Sequence, residues 1–262
     1  MIKKFIKRCM TIIRKTKHMS VYLIFNHRKT VRKLESYGLR DVKIYRFRRW
    51  RWWQWHKAEE TTIKRFYYKA KYENENCFVK LSRNDYAIKN EIHISRYLSR
   101  CAIGFVPGYL HSDEDYEKHT SLLITGFISG MRPFTLPGDE KTFEAVCGEF
   151  EQIIKCFVQY GIFHGDVSAS NVLMDSENHI MVIDFALGYA PGSEAYQLKD
   201  PRGMNYRLSG NVCTYDNAYS FIRLLDDCGL SDDFKCKDCY KRIERMIDAH
   251  TRSVTVQPQD IH

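Results

Sequence analysis

Two short motifs near the middle of the chain limit its possible folds more than any other feature. The first is HGDVSASNVL, residues 164–173, and the second is MVIDFALG, residues 181–188. Apolar residues on both sides of a short polar stretch predict a β-hairpin, with strand residues 172–175, turn residues 176–178 and strand residues 179–184. The hairpin would bring Asn171, which precedes it, close to Asp184, which ends it.

The polar residues of these motifs have the chemistry that phosphoryl transfer from ATP requires. A carboxylate must orient an attacking hydroxyl and accept its proton, and Asp166 is the candidate. Magnesium prefers oxygen ligands, which Asn171 and Asp184 would supply. We interpret His164 as a structural imidazole that braces the loop rather than as a base. The alternative interpretation is a polar loop followed by an unrelated aspartate.

A lysine and a glutamate upstream complete this set. Residues 77–81 form a short apolar strand that carries Lys80, preceded by a strand over 63–72 and a turn over 73–76. Asp85 can cap a helix from about Tyr86 to Arg100, on which Glu91 lies eleven residues after Lys80. We expect Lys80 to contact the ATP phosphates and Glu91 to hold it. Alternatively, Lys80 is a surface lysine on an edge strand and Glu91 a solvated helix charge.

The apolar run SLLITGFISG, residues 121–130, predicts a further strand that ends in small residues. In a kinase the adenine ring binds in the crevice between two lobes, against the backbone of such a segment. We therefore expect Gly126, Phe127 and Ile128 to contact the base. A buried strand without a ligand would explain the same residues.

From roughly residue 60 to residue 230, these motifs resemble the protein-kinase-like superfamily. Gly165 stands where many protein kinases carry arginine, and Ala186 replaces the glycine of Asp-Phe-Gly. The His-Gly-Asp form is similar to aminoglycoside phosphotransferases and to kinases of the lipopolysaccharide core. With the short length and the basic N-terminus, the chain most resembles the bacterial lipopolysaccharide core heptose kinases.

The resemblance implies an α+β, two-lobed protein-kinase-like fold with a small β-rich N-lobe and a helical C-lobe. The predicted divisions are a basic amphipathic segment over 1–40, the N-lobe with its hinge over 41–128, and the C-lobe over 129–262. It implies ATP and Mg²⁺ as cofactors and a sugar hydroxyl of a glycolipid, heptose or Kdo, as acceptor. No G-x-G-x-x-G precedes Lys80, so phosphate cover is expected from a loop within residues 49–61.

Positive charge is concentrated at the N-terminus. The whole chain has a formal charge of +9, whereas residues 1–57 hold 18 Lys and Arg against Glu35 and Asp41 and the remainder is therefore −7. Apolar residues recur at helical spacing over residues 1–20, among lysines and arginines. A basic amphipathic helix of this kind is typical of docking on anionic lipid, although it could equally pack on the protein with its basic face in solvent.

Residues 45–57, YRFRRWRWWQWHK, combine four tryptophans with four arginines and a lysine. Rings and cations together suit membrane interfaces, sugars or single-stranded RNA. We expect these side chains to face the substrate or the membrane, rather than to form an N-lobe strand with inward-facing rings. The expected partners are an anionic membrane surface and the lipopolysaccharide core, and nucleic acid is not expected.

No apolar run approaches the length of a membrane span, and the N-terminus lacks a clean apolar signal core. We therefore expect a cytoplasmic protein, peripheral at the inner membrane. Competing functions are a Ser/Thr protein kinase, an aminoglycoside-type kinase of small molecules, and an RNA- or membrane-binding pseudokinase.

The downstream pattern predicts a helical C-terminal part. Residues 139–160 have apolar positions at helical spacing, and residues 189–214 are rich in Gly and Pro and are expected to be a loop. Two helices are predicted over about 215–228 and 231–250. The polar tail from Thr251 is expected to be frayed.

Overall fold

The computed structural model describes residues 27–45, 64–83, 85–115, 120–193, 206–209 and 212–255. The basic segment 1–20, the tryptophan-rich residues 46–57 and the predicted phosphate-covering loop 49–61 lie outside these residues. The described helices are α1 His27–Glu35, α2 Tyr86–Arg100, α3 Glu140–Gln159, α4 Asn217–Asp227, α5 Asp232–Lys235 and α6 Asp238–Glu244. The strands are β1 Arg40–Ile44, β2 Lys64–Tyr72, β3 Glu75–Arg83, β4 Tyr109–Asp115, β5 Thr120–Gly126, β6 Arg132–Pro133, β7 Val172–Met174, β8 Ile180–Val182, β9 Tyr206–Ser209, β10 Val212–Asp216 and β11 Thr251–Thr255.

The first half of the described chain forms an antiparallel five-stranded sheet in the order β1-β2-β3-β5-β4. The turn after β2 is shorter than the predicted range 73–76, since Glu73 and Asn74 alone form it. Their φ values of 50° and 70° are the left-handed backbone that a two-residue hairpin loop needs at both positions. Residues 75 and 76 already belong to β3.

The two faces of this sheet pack against different partners. Leu34 of α1, Leu39, Tyr68 and Val79 are buried together on one face. Because successive strand residues point to opposite sides, Lys80 projects from the other face. On that side Leu123 of β5 packs with Ile88 and Ile92 of α2. The predicted helix 86–100 is confirmed, with the Asp85 carboxylate accepting a hydrogen bond from Ala87 N at 3.2 Å.

The largest apolar cluster belongs to the helical second half. Its centre is α3, whose predicted range is confirmed and whose N-terminus is capped by Asp139. Phe150 of α3 contacts Phe134 and Phe221, with ring centroids 5.5 and 4.6 Å apart. The β7–β8 hairpin packs on the same cluster through Val172 and Val182. The core therefore divides between the five-stranded sheet and this helical part.

Two predictions about the C-terminal part are wrong. Residues 231–250 form the two short helices α5 and α6, because Phe234 and Ile243 lie nine residues apart and would point to opposite sides of one helix. The break lets both reach the core beside α3. The tail from Thr251 is a strand, β11, paired along its length with β10.

The predicted loop over 189–214 also contains β9 and the start of β10, which form a small sheet with β11. Asp216 joins the sheet to α4: its carboxylate accepts hydrogen bonds from Tyr219 N at 3.0 Å and Asp248 N at 2.7 Å. The α+β class is confirmed. Among the described residues, no helix has the length and apolar character needed to cross a membrane.

Candidate functional site

Three charged residues from distant parts of the chain meet at the face of the sheet that carries Lys80. The Lys80 ammonium lies 2.7 and 2.8 Å from the two Glu91 carboxylate oxygens and 3.1 Å from Asp184 Oδ1. The Lys80 and Glu91 side chains are 12% and 6% exposed, whereas Asp184 is 41% exposed. Asp184 is therefore the open end of a network whose other members are enclosed.

The enclosed position affects Lys80 in two opposing ways. Burial lowers its pKa because a charged amine loses water contacts, but the attraction of Asp184 and Glu91 outweighs this effect and leaves the pKa above its ordinary value. Lys80 therefore stays positively charged at neutral pH. The two carboxylates also fix the position of the ammonium, since its three N–H groups point at Glu91 Oε1, Glu91 Oε2 and Asp184 Oδ1.

The predicted hairpin brings Asn171 and Asp184 together. Strands β7 and β8 pair with Val172 opposite Val182, and Ile183 N donates to Asn171 O at 2.8 Å. Asp184 follows immediately with φ of 67°, a left-handed conformation that is uncommon outside glycine. Such backbone strain is concentrated at functional sites, where the surrounding structure maintains it.

Asp166 and Asn171 form a second pair beside this network. Asn171 Nδ2 donates to both Asp166 O and Asp166 Oδ2, each at 2.9 Å. Among the residues that the structure describes, the Ser170 hydroxyl alone donates to its Oδ1, at a long 3.5 Å. The amide is thereby oriented with its nitrogen toward Asp166 and its oxygen available to a cation.

The described residues contain no group of three or more His, Cys, Asp or Glu side chains that could enclose a metal ion. The oxygens of Asn171 and Asp184 nevertheless fit Mg²⁺, which commonly takes one or two protein ligands and completes its shell with phosphate oxygens and water. Asn171 Oδ1 and the half-exposed Asp184 carboxylate are the oxygens that would hold it.

His164 is fully buried and supports the loop. Its Nδ1 accepts a hydrogen bond from Asp166 N at 3.2 Å, so Nε2 must carry the proton and donate to Ile183 O at 2.9 Å. Burial lowers the pKa of this imidazole to about 4. A neutral ring with both nitrogens engaged cannot act as a base at neutral pH, in agreement with the structural role expected from the sequence.

Gly165 has a structural requirement that the motif alone did not reveal. Its φ is +78°, and a Cβ added there would overlap the carbonyl oxygen of Leu187 and lie 2.9 Å from its carbonyl carbon. Gly188 is similarly close, since its added Cβ would lie 2.8 Å from Phe163 O. The two glycines let the Asp166 loop and the segment after Asp184 pack backbone to backbone.

Two buried asparagines position the site and were missed by sequence reasoning. Asn90 of α2 donates through Nδ2 to Ala186 O at 3.1 Å and to Gly188 O at 2.9 Å. Asn217 accepts from His164 N at 3.3 Å and donates to Ile162 O at 2.6 Å. The available signals were weak: Asn90 adjoins Glu91, and Asn217 begins a helix.

The predicted base-binding segment lies at the end of β5. Gly126 N donates to Gly108 O at 2.8 Å and Phe127 N to Asn76 O at 2.9 Å, so these two N–H groups are already used within the protein. Ile128 follows the strand and is partly buried. The Phe127 ring makes a cation–π contact with Lys69, whose Nζ lies 3.9 Å from the ring centroid.

The structure thus brings Lys80, Glu91, Asp166, Asn171 and Asp184 into two adjoining networks, linked through the hydrogen bond between Ile183 N and Asn171 O. The predicted base-binding segment begins at Gly126, the last residue of β5, which belongs to the same five-stranded sheet as Lys80. No protein-family model matches this chain, and a search of curated proteins finds no similar sequence.

Proposed function

We propose that this chain is an ATP-dependent kinase that phosphorylates a sugar hydroxyl, heptose or Kdo, of the lipopolysaccharide core at the cytoplasmic membrane surface. One observation carries the proposal: the buried Lys80–Glu91 pair meets Asp184, while Asn171 donates to Asp166 and accepts from the backbone of Ile183, the residue before Asp184. A cation for phosphate, oxygens for magnesium and a carboxylate for a hydroxyl are the parts that phosphoryl transfer needs.

The division of the core supports a two-lobed, kinase-like arrangement. The sheet with α2 would be the N-lobe, and the cluster around α3 with the β7–β8 hairpin would be the C-lobe. Lys80 and Glu91 belong to the first, and Asp166, Asn171 and Asp184 to the second. ATP would bind between them, where the Lys80–Asp184 contact of 3.1 Å joins the two parts.

Each residue has a defined task in the reaction. Lys80 pairs with phosphate oxygens, and Glu91 fixes its ammonium. Asp166 accepts a hydrogen bond from the sugar hydroxyl and takes its proton as the oxygen attacks the γ-phosphorus. The bond from that phosphorus to the β–γ bridging oxygen breaks, and ADP leaves. Asn171 holds the Asp166 carboxylate in position through its 2.9 Å hydrogen bond.

Asn171 Oδ1 and the Asp184 carboxylate are the groups that would hold Mg²⁺. When bound, the ion offsets phosphate charge and helps to align the triphosphate. The Lys80 contact with Asp184 Oδ1 restrains that carboxylate before the ion arrives.

The base would bind near Phe127. Because the N–H groups of Gly126 and Phe127 donate within the protein, amide donation to the base from this segment would come from Ile128.

Two features favour a sugar acceptor over a regulated protein substrate. Gly165 occupies the position at which regulated protein kinases carry an arginine for a phosphorylated loop, and no side chain fits there. The strongly basic residues 1–57 suit an anionic glycolipid at a membrane, whereas a soluble drug would need no such segment.

The test is transfer of label from γ-labelled ATP to purified rough-type lipopolysaccharide. Asp166→Asn keeps an oxygen that can accept from Asn171 but cannot take a proton, so we expect turnover to fall about 10²–10⁴-fold with ATP binding largely preserved. Asp233→Asn, at an exposed position on α5, is the matched control and should behave as the parent.

The outcomes separate the alternatives. Label on the glycolipid that disappears in Asp166→Asn would support both the chemistry and the acceptor. Label on polypeptide that persists without lipopolysaccharide would indicate a protein kinase. Near-normal turnover in Asp166→Asn would refute the role given to Asp166.

A further inference from the structure

The outer surface of the sheet is strongly cationic where α1 meets the edge strand β1. Five exposed basic side chains define this α1–β1 surface: Arg28, Lys29, Arg32, Arg40 and Lys43. Within the described part of the chain, none of them has an ion-pair partner. Nearby, Asp41 is paired with Lys71 at 3.1 Å, which leaves Glu35 as the opposing charge.

The same surface has apolar elements between the cations. A groove of about 300 Å³ runs between α1 and β1, lined by Val31 and Val42 with Arg28, Arg32 and Glu35 at its sides. Ile44, at the end of β1, is 39% exposed and is one of two large hydrophobic side chains in the described residues that are so open. Cations flanking apolar side chains match an interface of anionic headgroups and acyl chains.

We propose that the α1–β1 surface docks on an anionic lipid bilayer. The inference deepens the membrane location in the proposed function, but it rests on this surface and does not require catalysis. In the sequence, the two most basic stretches flank the elements of this surface, since residues 1–26 precede α1 and residues 46–57 follow β1. Together, residues 1–57 carry +16 against −7 for the remainder, so an anionic surface would attract one end and repel the other.

The orientation of the surface is compatible with activity while docked. Helix α1 packs through Leu34 on the face of the sheet that contains Val79, and Lys80 projects from the opposite face. Docking through α1 and β1 therefore leaves uncovered the face of the sheet from which Lys80 projects. A second copy of the chain is a poorer occupant of the β1 edge, because Arg40 and Lys43 would face the same charges on the partner strand.

The experiment is co-sedimentation of the full chain with phosphatidylcholine vesicles that contain or lack phosphatidylglycerol. The test variant is Arg28→Gln/Arg32→Gln/Lys43→Gln. Each basic residue near an anionic bilayer strengthens binding by about fivefold, so we expect partitioning to fall roughly a hundredfold. The matched control is Arg100→Gln/Lys141→Gln/Lys241→Gln, which removes three exposed charges elsewhere and should bind as the parent does.

Three results would overturn the proposal. Unchanged binding in the test variant would assign docking to other residues. An equal loss of vesicle binding in both triple variants would show that binding depends on the net charge of the protein and not on the α1–β1 surface. Absence of vesicle binding, with RNA binding that the test variant loses, would make this a nucleic-acid surface. Because the measurement is lipid binding, each of these failures would leave the kinase proposal standing. Matching thermal unfolding of the variants excludes misfolding.

Discussion

Gly165→Ala tests the close packing on which the candidate site depends. At φ of +78° an alanine has strained backbone, and its Cβ would overlap Leu187 O. The obstacle is backbone rather than a flexible side chain. Leu187 cannot easily retreat, because Gly188 N donates to Phe185 O at 3.0 Å and Tyr189 N donates to Phe163 O at 2.7 Å.

The expected cost follows from these two effects. Left-handed backbone at alanine costs about 1–2 kcal/mol, and relieving the overlap costs a similar amount or more. A total of about 3 kcal/mol should lower the melting temperature by about 6–12 °C in a chain of this size. Phosphoryl transfer should fall as well, since the displaced loop carries Asp166.

Gly148→Ala is the matched control. Gly148 lies inside α3, and an added Cβ there meets no atom within 4 Å. The same chemical change should therefore stabilise the protein by about 0.5–1 kcal/mol through helix propensity. Calorimetry or circular dichroism on the two variants measures both effects. A Gly165→Ala protein as stable and active as the parent would refute the described packing of the loop against Leu187.

Three further predictions address the neighbours of the site. Asn90→Leu removes the side-chain donor to Ala186 O and Gly188 O, in the segment that follows Asp184. The Mg²⁺ concentration for half-maximal activity should therefore rise several-fold in a metal titration, and an unchanged concentration would contradict the positioning role of Asn90. Glu91→Gln removes the closest charge on Lys80 and should raise the KM for ATP about 10–100-fold in steady-state assays, whereas a normal KM would contradict the ion pair's role. The folded-state pKa of His164, about 4, lies below the ordinary 6.5, so the unfolded state binds the proton first and the unfolding free energy should fall by about 3 kcal/mol as pH drops from 6.5 to 4. Denaturant titrations across this range should give a flatter profile for His164→Gln; an equal slope in both proteins would assign the dependence elsewhere.

Local chemistry explains which elements could be predicted from the sequence. The helix Tyr86–Arg100 begins after Asp85, whose carboxylate can satisfy a free N–H group, and its apolar spacing marks the buried face. The β7–β8 hairpin could be predicted because its two apolar strands flank a short polar turn. Both signals lie within about fifteen residues, where neighbouring side chains decide the conformation.

Contacts between distant residues explain what could not be predicted. The strand at residues 251–255 exists because β10, about forty residues earlier, offers it a partner. The β-branched residues Thr251, Val254 and Thr255 are compatible with a strand, but three such residues in a polar tail do not predict one without the partner. Asn90 gives no local sign that its amide reaches Ala186 and Gly188, almost a hundred residues later. The glycine requirement at residue 165 likewise arises from Leu187, on another segment.

Calorimetric titration of ATP, with and without Mg²⁺, tests the proposed nucleotide and magnesium site without the need for an acceptor. We expect the parent to bind ATP much more tightly with Mg²⁺. We also expect Asp184→Asn to lose most of this metal dependence and Asp233→Asn to retain it. Absence of ATP binding, or equal affinity with and without Mg²⁺ in the parent, would contradict a magnesium-dependent phosphotransferase site at Lys80, Asn171 and Asp184.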